Sequence, residues 1–354
     1  MPGKPPPSAA LEALVTQSYP IPEETWGDFW DRLASRDLHP GEALAVVTSL
    51  TTRIPDGASV SALLRSLRER NPQPDLPKRP TVNIVGTGGG PSTFNLSTAS
   101  AFVGAALGAR VIKTGSRAYA SRTGSIDLLD RLGIKLTTSY EQTEEMLDTF
   151  GIACAGPFVY PKELRLIARS ILPFGMKTVG RFFNVVGPFL AAIPVSTQIT
   201  GTSDHSVLPT FRQLVAEDTG KRYWITSNAL GVDEMLSIED SQVYDSGRGE
   251  EFTLKPSELG LEARPFDDLL PVTELDETVP HFLALISGDG PTGAIESIRL
   301  NAAALAINGE VADDWPAALQ LAAETMESGE PARLIERLRA HGEAAAAATP
   351  GAAQ

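Results

Sequence analysis

Residues 82–133 read VNIVGTGGGPSTFNLSTASAFVGAALGARVIKTGSRAYASRTGSIDLLDRLG, and this stretch decides the fold. Val82 to Val85 is a short apolar run closed by a glycine cluster, the pattern of a buried parallel strand that ends in a tight loop. Gly86, Gly88, Gly89 and Gly90 carry no side chains, so their backbone N–H groups can come close to an anion. Asn95, Ser97 and Thr98 follow, and the apolar run Ala99 to Leu107 reads as a helix. Hydroxyls and amides at a helix N-terminus are a ready place for phosphate. A second apolar strand, Ala109 to Ile112, delivers Lys113 and the loop Thr114-Gly115-Ser116-Arg117. A hydroxyl-rich turn from Ser121 to Ser125 then opens a helix near Ile126. Two successive strand–loop–helix units therefore aim polar loops at one place, which suits a heavily phosphorylated small molecule. The glycine spacing is neither the dinucleotide pattern GxGxxG nor the Walker pattern GxxxxGK[ST].

The rest of the chain sets the limits. At 354 residues and 42% hydrophobic content it can bury a large core, with length for two domains. A formal charge of −14 argues against nucleic acid, whose phosphates need a basic surface. An acidic protein that binds an anion must gather positive potential locally or borrow a metal ion. The single cysteine, Cys154, excludes an internal disulfide and a CxxC metal site, and its surroundings (GIACAG) read as core. No window reaches the length of a membrane span, and MPGKPPPSAA lacks a signal-peptide core. The expectation is a soluble cytoplasmic protein with no membrane partner.

From Leu11 to Arg70 the sequence reads as helices only, with apolar residues at helical spacing in Glu24–Leu33, Pro40–Thr51 and Ser59–Arg70. Trp26 and Trp30 lie four apart and read as a packed pair. The proline-rich stretch NPQPDLPKRP (Asn71 to Pro80) ends this segment. Beyond Gly133, Lys135–Thr137 reads as a short strand, Tyr140–Phe150 as a helix with a solvated acidic face, and Ile152–Val159 as a strand-like run. Tyr160–Leu172 is a helix with Lys162, Arg165 and Arg169. Val195–Gly201 and Arg222–Thr226 read as strands, separated by a helix at Val207–Asp218. The second strand leads into SNALGVDEMLS, where Asp233 and Glu234 are adjacent carboxylates in a loop. By itself such a pair is a solvated acidic turn or the start of a helix. Alternating strands and helices from Val82 onward give an α/β class with a mainly parallel sheet flanked by helices, beside a small N-terminal helical domain. The expected division is 1–77 helical, completed by helices within about 160–195, then 78–343 α/β, then a low-complexity tail at 344–354.

Taken together, GTGG…STFNLSTASAFV, KTGSR, SRTGSIDLLDRLG, FFNVVGP, GVDE and GPTGAIESIRLNAA closely resemble the anthranilate phosphoribosyltransferase family, which shares its fold with the pyrimidine nucleoside phosphorylases (glycosyltransferase family 3). The resemblance covers about residues 20–340. It implies Mg²⁺-dependent transfer of ribose 5-phosphate from phosphoribosyl pyrophosphate to a small aromatic acceptor, in a homodimer. It also implies that Gly86, Thr87, Gly88 and Gly89 line the diphosphate and ribose. Asn95, Ser97, Thr98, Lys113, Ser121 and Ser125 then hold phosphates, and Asp233, Glu234 and Ser97 hold Mg²⁺. Lys113 and Arg181 are the catalytic candidates. The acceptor side falls to Thr114, Ser116, Lys177, Gly180 and Arg181.

Departures from the family pattern cluster on that acceptor side. KHGNR is KTGSR here, so Thr114 and Ser116 replace histidine and asparagine. The arginine expected four residues before Asn184 is Gly180, with Arg181 next to it and Lys177 nearby. VYPKELR lacks the histidine usual before its proline. On the donor side, GTGGDGxNTFN becomes GTGGGPSTFN, one residue shorter and without the aspartate. Lost polar contacts in a pocket built for one acceptor point to another aromatic or heteroaromatic acid or amine, or one held differently. Anthranilate itself, a phosphorylase of the same fold and a non-catalytic binding relative stay open beside it. The acidic pair and the FNLST string favour the transferase, because a phosphorylase needs no metal-held pyrophosphate. None of the four histidines (His39, His205, His281, His341) falls in a matched motif, so no protein base is assigned.

Overall fold

The computed structural model describes residues 6–76, 78–115 and 124–348. Its contacts divide the chain into two compact units. The first is all helical and joins the N-terminal segment through Asp75 with Pro157–Pro194 and Ser206–Thr219. Beside the helices expected within about 160–195, a second segment, Ser206–Thr219, also belongs to the helical unit, which the sequence reading did not include. Within it, the helix Leu208–Glu217 packs on Gly57–Arg68. Arg68 fixes the return segments by bonding the Phe189 carbonyl at 3.1 Å and pairing with Asp218 at 3.2 Å. The helix Glu23–Ser35 turns its apolar stripe inward, and Trp26 and Trp30 are both buried with ring centroids 6.5 Å apart. Trp30 Nε1 donates to Ser66 Oγ at 2.9 Å, so its one polar atom is satisfied. Ser8 and Asp56 cap two of the helices with side-chain oxygens.

The second unit is built on a seven-stranded sheet. Its strands are β1 (Val82–Gly86), β2 (Val111–Lys113), β3 (Ile152–Cys154), β4 (Thr197–Gly201), β5 (Arg222–Asn228), β6 (Ser241–Asp245) and β7 (Glu250–Leu254), in the order β3-β2-β1-β4-β5-β6-β7. The first five in that order run parallel, and β6 and β7 add an antiparallel edge. The parallel strands are buried along almost their whole length, as expected of a sheet with helices on its faces. The helix Leu96–Ala106 packs on the helix Thr292–Asn308, closely enough that a Cβ at Gly104 would lie 2.7 Å from Leu305 Cδ1. β1 lies between β2 and β4, so the loops leaving the carboxyl ends of β1 and β4 diverge. In an open α/β sheet that divergence makes the crevice where ligands bind.

Three local expectations are corrected. Lys135–Thr137 forms no strand; only Thr137 makes an isolated bridge, to Ala155. The apolar run from Ile152 is strand only as far as Cys154, and Pro157–Val159 is a 3₁₀ turn, since proline cannot supply the ladder's N–H. The expected tail is partly helical: Glu330–Ala348 is one helix, and alanine, the best helix former, carries it through residues 344–348. The antiparallel β6–β7 hairpin was not anticipated. No helix among the described residues is long and apolar enough to cross a membrane.

Candidate active site

The carboxyl ends of β1, β2, β4 and β5 bring one set of polar groups together. The loop after β1 carries Gly88 and Gly89 with φ of +71° and +95°, a backbone region that glycine enters without strain. The loop after β5 carries Asp233 and Glu234, and it presses on β1 and β4 so closely that side chains have no room between them. A Cβ at Gly86 would sit 1.9 Å from Asp233 Oδ2, and one at Gly201 would sit 1.8 Å from the Asp233 carbonyl oxygen. Glycine at these two positions is therefore a packing requirement for the acidic loop.

Both carboxylates are held by groups that the sequence had marked for an anion. Asp233 Oδ2 accepts from the Gly88 N–H at 2.6 Å. Glu234 Oε2 accepts from Thr93 Oγ1 at 3.2 Å, and the Glu234 carboxylate also accepts from the Ser97 backbone N–H. Ser97 lies in the first turn of the helix Leu96–Ala106, where the helix dipole favours negative charge. Burial pushes the Glu234 carboxyl up to about 8, with the Asp233 charge adding to the shift. Burial also raises the Asp233 carboxyl. Two neighbouring carboxylates strain against each other's charge and gain from any cation placed between them.

Lys113 ends β2 and is only 3% exposed. Its Nζ donates to the Thr114 carbonyl at 2.7 Å. Burial pulls its pKa down to about 8, while Cys154, Glu234 and Asp233 draw it back up, which places the ammonium within the field of the acidic pair. Cys154 is buried beneath it, with its thiol pushed up to about 12, so it stays neutral core as the sequence indicated.

The remaining candidates fall as follows. Thr87 is buried, and its N–H donates to the Gly201 carbonyl at 3.0 Å. Asn95 is the N-cap residue of the helix Leu96–Ala106. Thr98 is fully buried with its Oγ1 unpartnered. Ser125 opens the helix Ser125–Arg131 against Gly115. Thr114 is 1% exposed, and Asn83 Nδ2 donates to its Oγ1 at 3.0 Å. Its hydroxyl is therefore engaged by a residue of β1. Ser116 and Ser121 lie outside the described residues. Lys177, Gly180 and Arg181 belong to the helical unit. There Lys177 lies in the four-residue helix Met176–Val179 and Gly180 is its C-cap. Arg181 opens the helix Arg181–Val186 with an exposed side chain.

Sequence reasoning passed over the residues that hold the acidic loop in place. Asn228, the last residue of β5, donates through Nδ2 to the carbonyls of Val232 and Glu234, both at 2.9 Å. Its Oδ1 accepts from the Val232 N–H at 3.2 Å. From the other side, Asn301 Nδ2 donates to the Met235 carbonyl at 2.6 Å, and the Ser237 N–H donates to Ser297 Oγ at 3.0 Å. An asparagine placed directly before a glycine-containing turn was the available signal, since its side chain commonly bonds the backbone just ahead.

The glycosyl transferase family, a/b domain, matches residues 78–332, which contain every strand of the sheet. The chain belongs to this family. Within it, an anthranilate phosphoribosyltransferase of Thermomicrobium roseum is 31% identical over 308 residues, covering 85% of this chain and 87% of the relative. One from Desulfitobacterium hafniense is 29% identical over 92% of this chain and 96% of its own length. Among solved structures, anthranilate phosphoribosyltransferase from Thermus thermophilus superposes with a TM-score of 0.78 at 26% identity, covering 94% of this chain and 99% of that one. The Saccharomyces cerevisiae enzyme in complex with PRPP and Mg has the same TM-score at 21% identity, a likeness of fold. The family membership makes this chain a phosphoribosyltransferase, with the α/β fold and helical N-terminal domain that the sequence resemblance implied.

Proposed function

We propose that the chain transfers ribose 5-phosphate from phosphoribosyl pyrophosphate to an aromatic or heteroaromatic acid or amine other than anthranilate, releasing pyrophosphate with the help of Mg²⁺. The observation that carries this reading is the meeting of the β1 glycine loop, the Ser97 helix terminus, Lys113 and the Asp233–Glu234 pair at one edge of the sheet. Backbone N–H groups that already bind carboxylates have the polarity to bind phosphate. The donor set also fits magnesium. Asp233 and Glu234 offer hard oxygens, and no cluster of three or more metal-binding side chains occurs among the described residues. An ion held by one or two carboxylates and completed by substrate phosphates is the usual way a protein shares Mg²⁺. When bound, Mg²⁺ neutralises charge that develops on the departing pyrophosphate.

The chain's own residues do the rest. The ribose C1–O bond breaks with its electron pair leaving on pyrophosphate, and the acceptor's lone pair forms the new bond at C1. The proton that the acceptor loses passes to solvent or product. Gly86, Thr87, Gly88 and Gly89 take the diphosphate and ribose, and Asn95, Ser97, Thr98 and Ser125 take phosphate oxygens. The Lys113 ammonium, protonated below about pH 8, faces the leaving group's charge. Arg181 grips the acceptor's carboxylate bidentately, with Lys177 beside it in the chain. Asp233, Glu234 and Ser97 would hold the metal. The acceptor differs from anthranilate on this reading because Thr114, Ser116 and Gly180 stand where the family pattern has histidine, asparagine and arginine. Thr114, moreover, has its hydroxyl engaged by Asn83. The proposal includes a cytoplasmic homodimer, as the family resemblance implies.

The second reading is anthranilate itself, favoured by the names of the relatives. Pyrophosphate release from phosphoribosyl pyrophosphate and Mg²⁺, assayed across a panel of aromatic acids that includes anthranilate, separates the two. A higher kcat/KM for another acid supports the proposal. Anthranilate as best substrate refutes the altered acceptor, and no release with any acid refutes the transferase reading in this form.

A further inference from the structure

We infer that Asn228 is a positioning residue for the donor half of the reaction: its side-chain amide fixes the loop that presents Asp233 and Glu234. The inference rests on the donor-site reading above. Asn228 is 2% exposed, and both ends of its amide are spent on that loop. The Val232 and Glu234 carbonyls flank Asp233, so the two Nδ2 bonds bracket the carboxylate pair on either side. The main chain of the same residue is also engaged: its carbonyl accepts from the Gly231 N–H at 3.1 Å and faces His205 Nε2 at 2.9 Å. The turn from Asn228 to Glu234 is thus closed through one residue.

The need for such a closure follows from the charges. Two adjacent, half-buried carboxylates repel each other, and a free loop would splay to hydrate them. Loops that present metal or phosphate ligands depend on the groups that orient them, and losing such a group typically costs about ten- to a hundredfold in affinity. Asparagine is also the one residue of its size that donates twice and accepts once here. Aspartate would keep the bond from Val232 N–H, lose both donations, and bring a third negative charge beside the pair.

The test compares Asn228→Ala and Asn228→Asp with wild type by calorimetric titration of phosphoribosyl pyrophosphate over a series of Mg²⁺ concentrations. Melting temperatures and the acceptor KM are measured alongside. Asn308→Ala serves as the structural control, because Asn308 bonds only its own helix, to the Ala304 carbonyl at 2.9 Å. The expected result is about tenfold weaker binding for Asn228→Ala, a higher Mg²⁺ requirement, and a larger loss for Asn228→Asp, with the acceptor KM moving less than about twofold. Asn308→Ala lowers the melting temperature and leaves the Mg²⁺ dependence alone. Binding by Asn228→Ala within about twofold of wild type at every Mg²⁺ concentration overturns the inference, as does an equal loss on the acceptor side. If Asn228→Ala does not fold, Asn228→Ser, which keeps one donor, is expected to show an intermediate loss; wild-type binding by it overturns the inference equally. Wild-type protein that shows no Mg²⁺-dependent binding refutes the donor-site reading first, and this inference with it.

Discussion

The acidic loop of the α/β unit and the segment Met176–Val186 of the helical unit are built on opposite principles. Around Asp233 and Glu234 every described polar partner is fixed, glycines at 86 and 201 leave no room for a methyl group, and asparagines brace the backbone from two sides. The segment Met176–Val186 is two short helices joined at Gly180, with Lys177 and Arg181 exposed. The first arrangement suits a ligand whose charge and geometry never vary. The second carries its two cations on exposed side chains, beside a buried face of Phe182, Phe183, Val185 and Val186. The sequence departs from the family pattern at Gly180 in this segment and at Thr114 and Ser116 elsewhere in the chain, while the acidic loop keeps its motif. On the proposed reading, donor recognition constrains the chain through packing, and acceptor recognition does so through single side chains.

The comparison can be broken most forcefully at Gly201. Its Cβ would meet the Asp233 main chain, which cannot rotate away as a side chain can. Gly201→Ala is expected to abolish turnover and to destabilise the protein by about 1–3 kcal/mol, the usual cost of overpacking. Unchanged Mg²⁺-dependent turnover in this variant would show that the loop is not rigid. Next in size is the double variant Asp233→Asn/Glu234→Gln, which keeps shape and removes charge. We expect a fall of about a hundredfold or more in kcat, from loss of electrostatic stabilisation, with the fold intact by circular dichroism. Wild-type turnover would contradict the metal assignment.

Arg181→Ala probes the other side. The acceptor KM should rise about ten- to a hundredfold while phosphoribosyl pyrophosphate binds as before. An equal loss on both substrates would erase the contrast between the two regions.

The smallest effect is one of stability. The Glu234 carboxyl is raised from 4.5 to about 8 in the folded protein. Between those pH values the native state holds a proton that the unfolded chain has released, so the contribution of this group to stability falls as pH rises from about 5 to 8. Glu234→Gln should therefore gain in melting temperature relative to wild type across that interval. Glu234 is half-buried, so solvent trims the gain. A constant gap between the two proteins would mean that Glu234 is not held in a charge-disfavouring place.

Much of this was legible in the sequence because it depends on local pattern. The apolar run before the glycines and the hydroxyls opening the helix after Asn95 have a direct physical signature, whereas the pair Asp233–Glu234 stands out only through the family resemblance. What escaped depends on distant partners. Nothing near Leu208–Glu217 announces that this helix packs with Gly57–Arg68, and an alternating strand–helix pattern actively hides the excursion. The β6–β7 hairpin was missed because SQVYD and EEFTL are short and partly exposed, with a weak apolar signal. Asn228 was passed over because its importance lies in three bonds to backbone a few residues ahead, and asparagine at a turn is common. The motif places Thr114 on the acceptor side, and only its pairing with Asn83 of β1 shows that its hydroxyl is already engaged.

The most direct test of the central claim is calorimetric titration of phosphoribosyl pyrophosphate into the wild-type protein and into Asp233→Asn/Glu234→Gln, each with and without Mg²⁺. The account predicts binding by the wild type that requires Mg²⁺ and is lost in the double variant. Binding that ignores Mg²⁺, or that survives in the double variant, would contradict it.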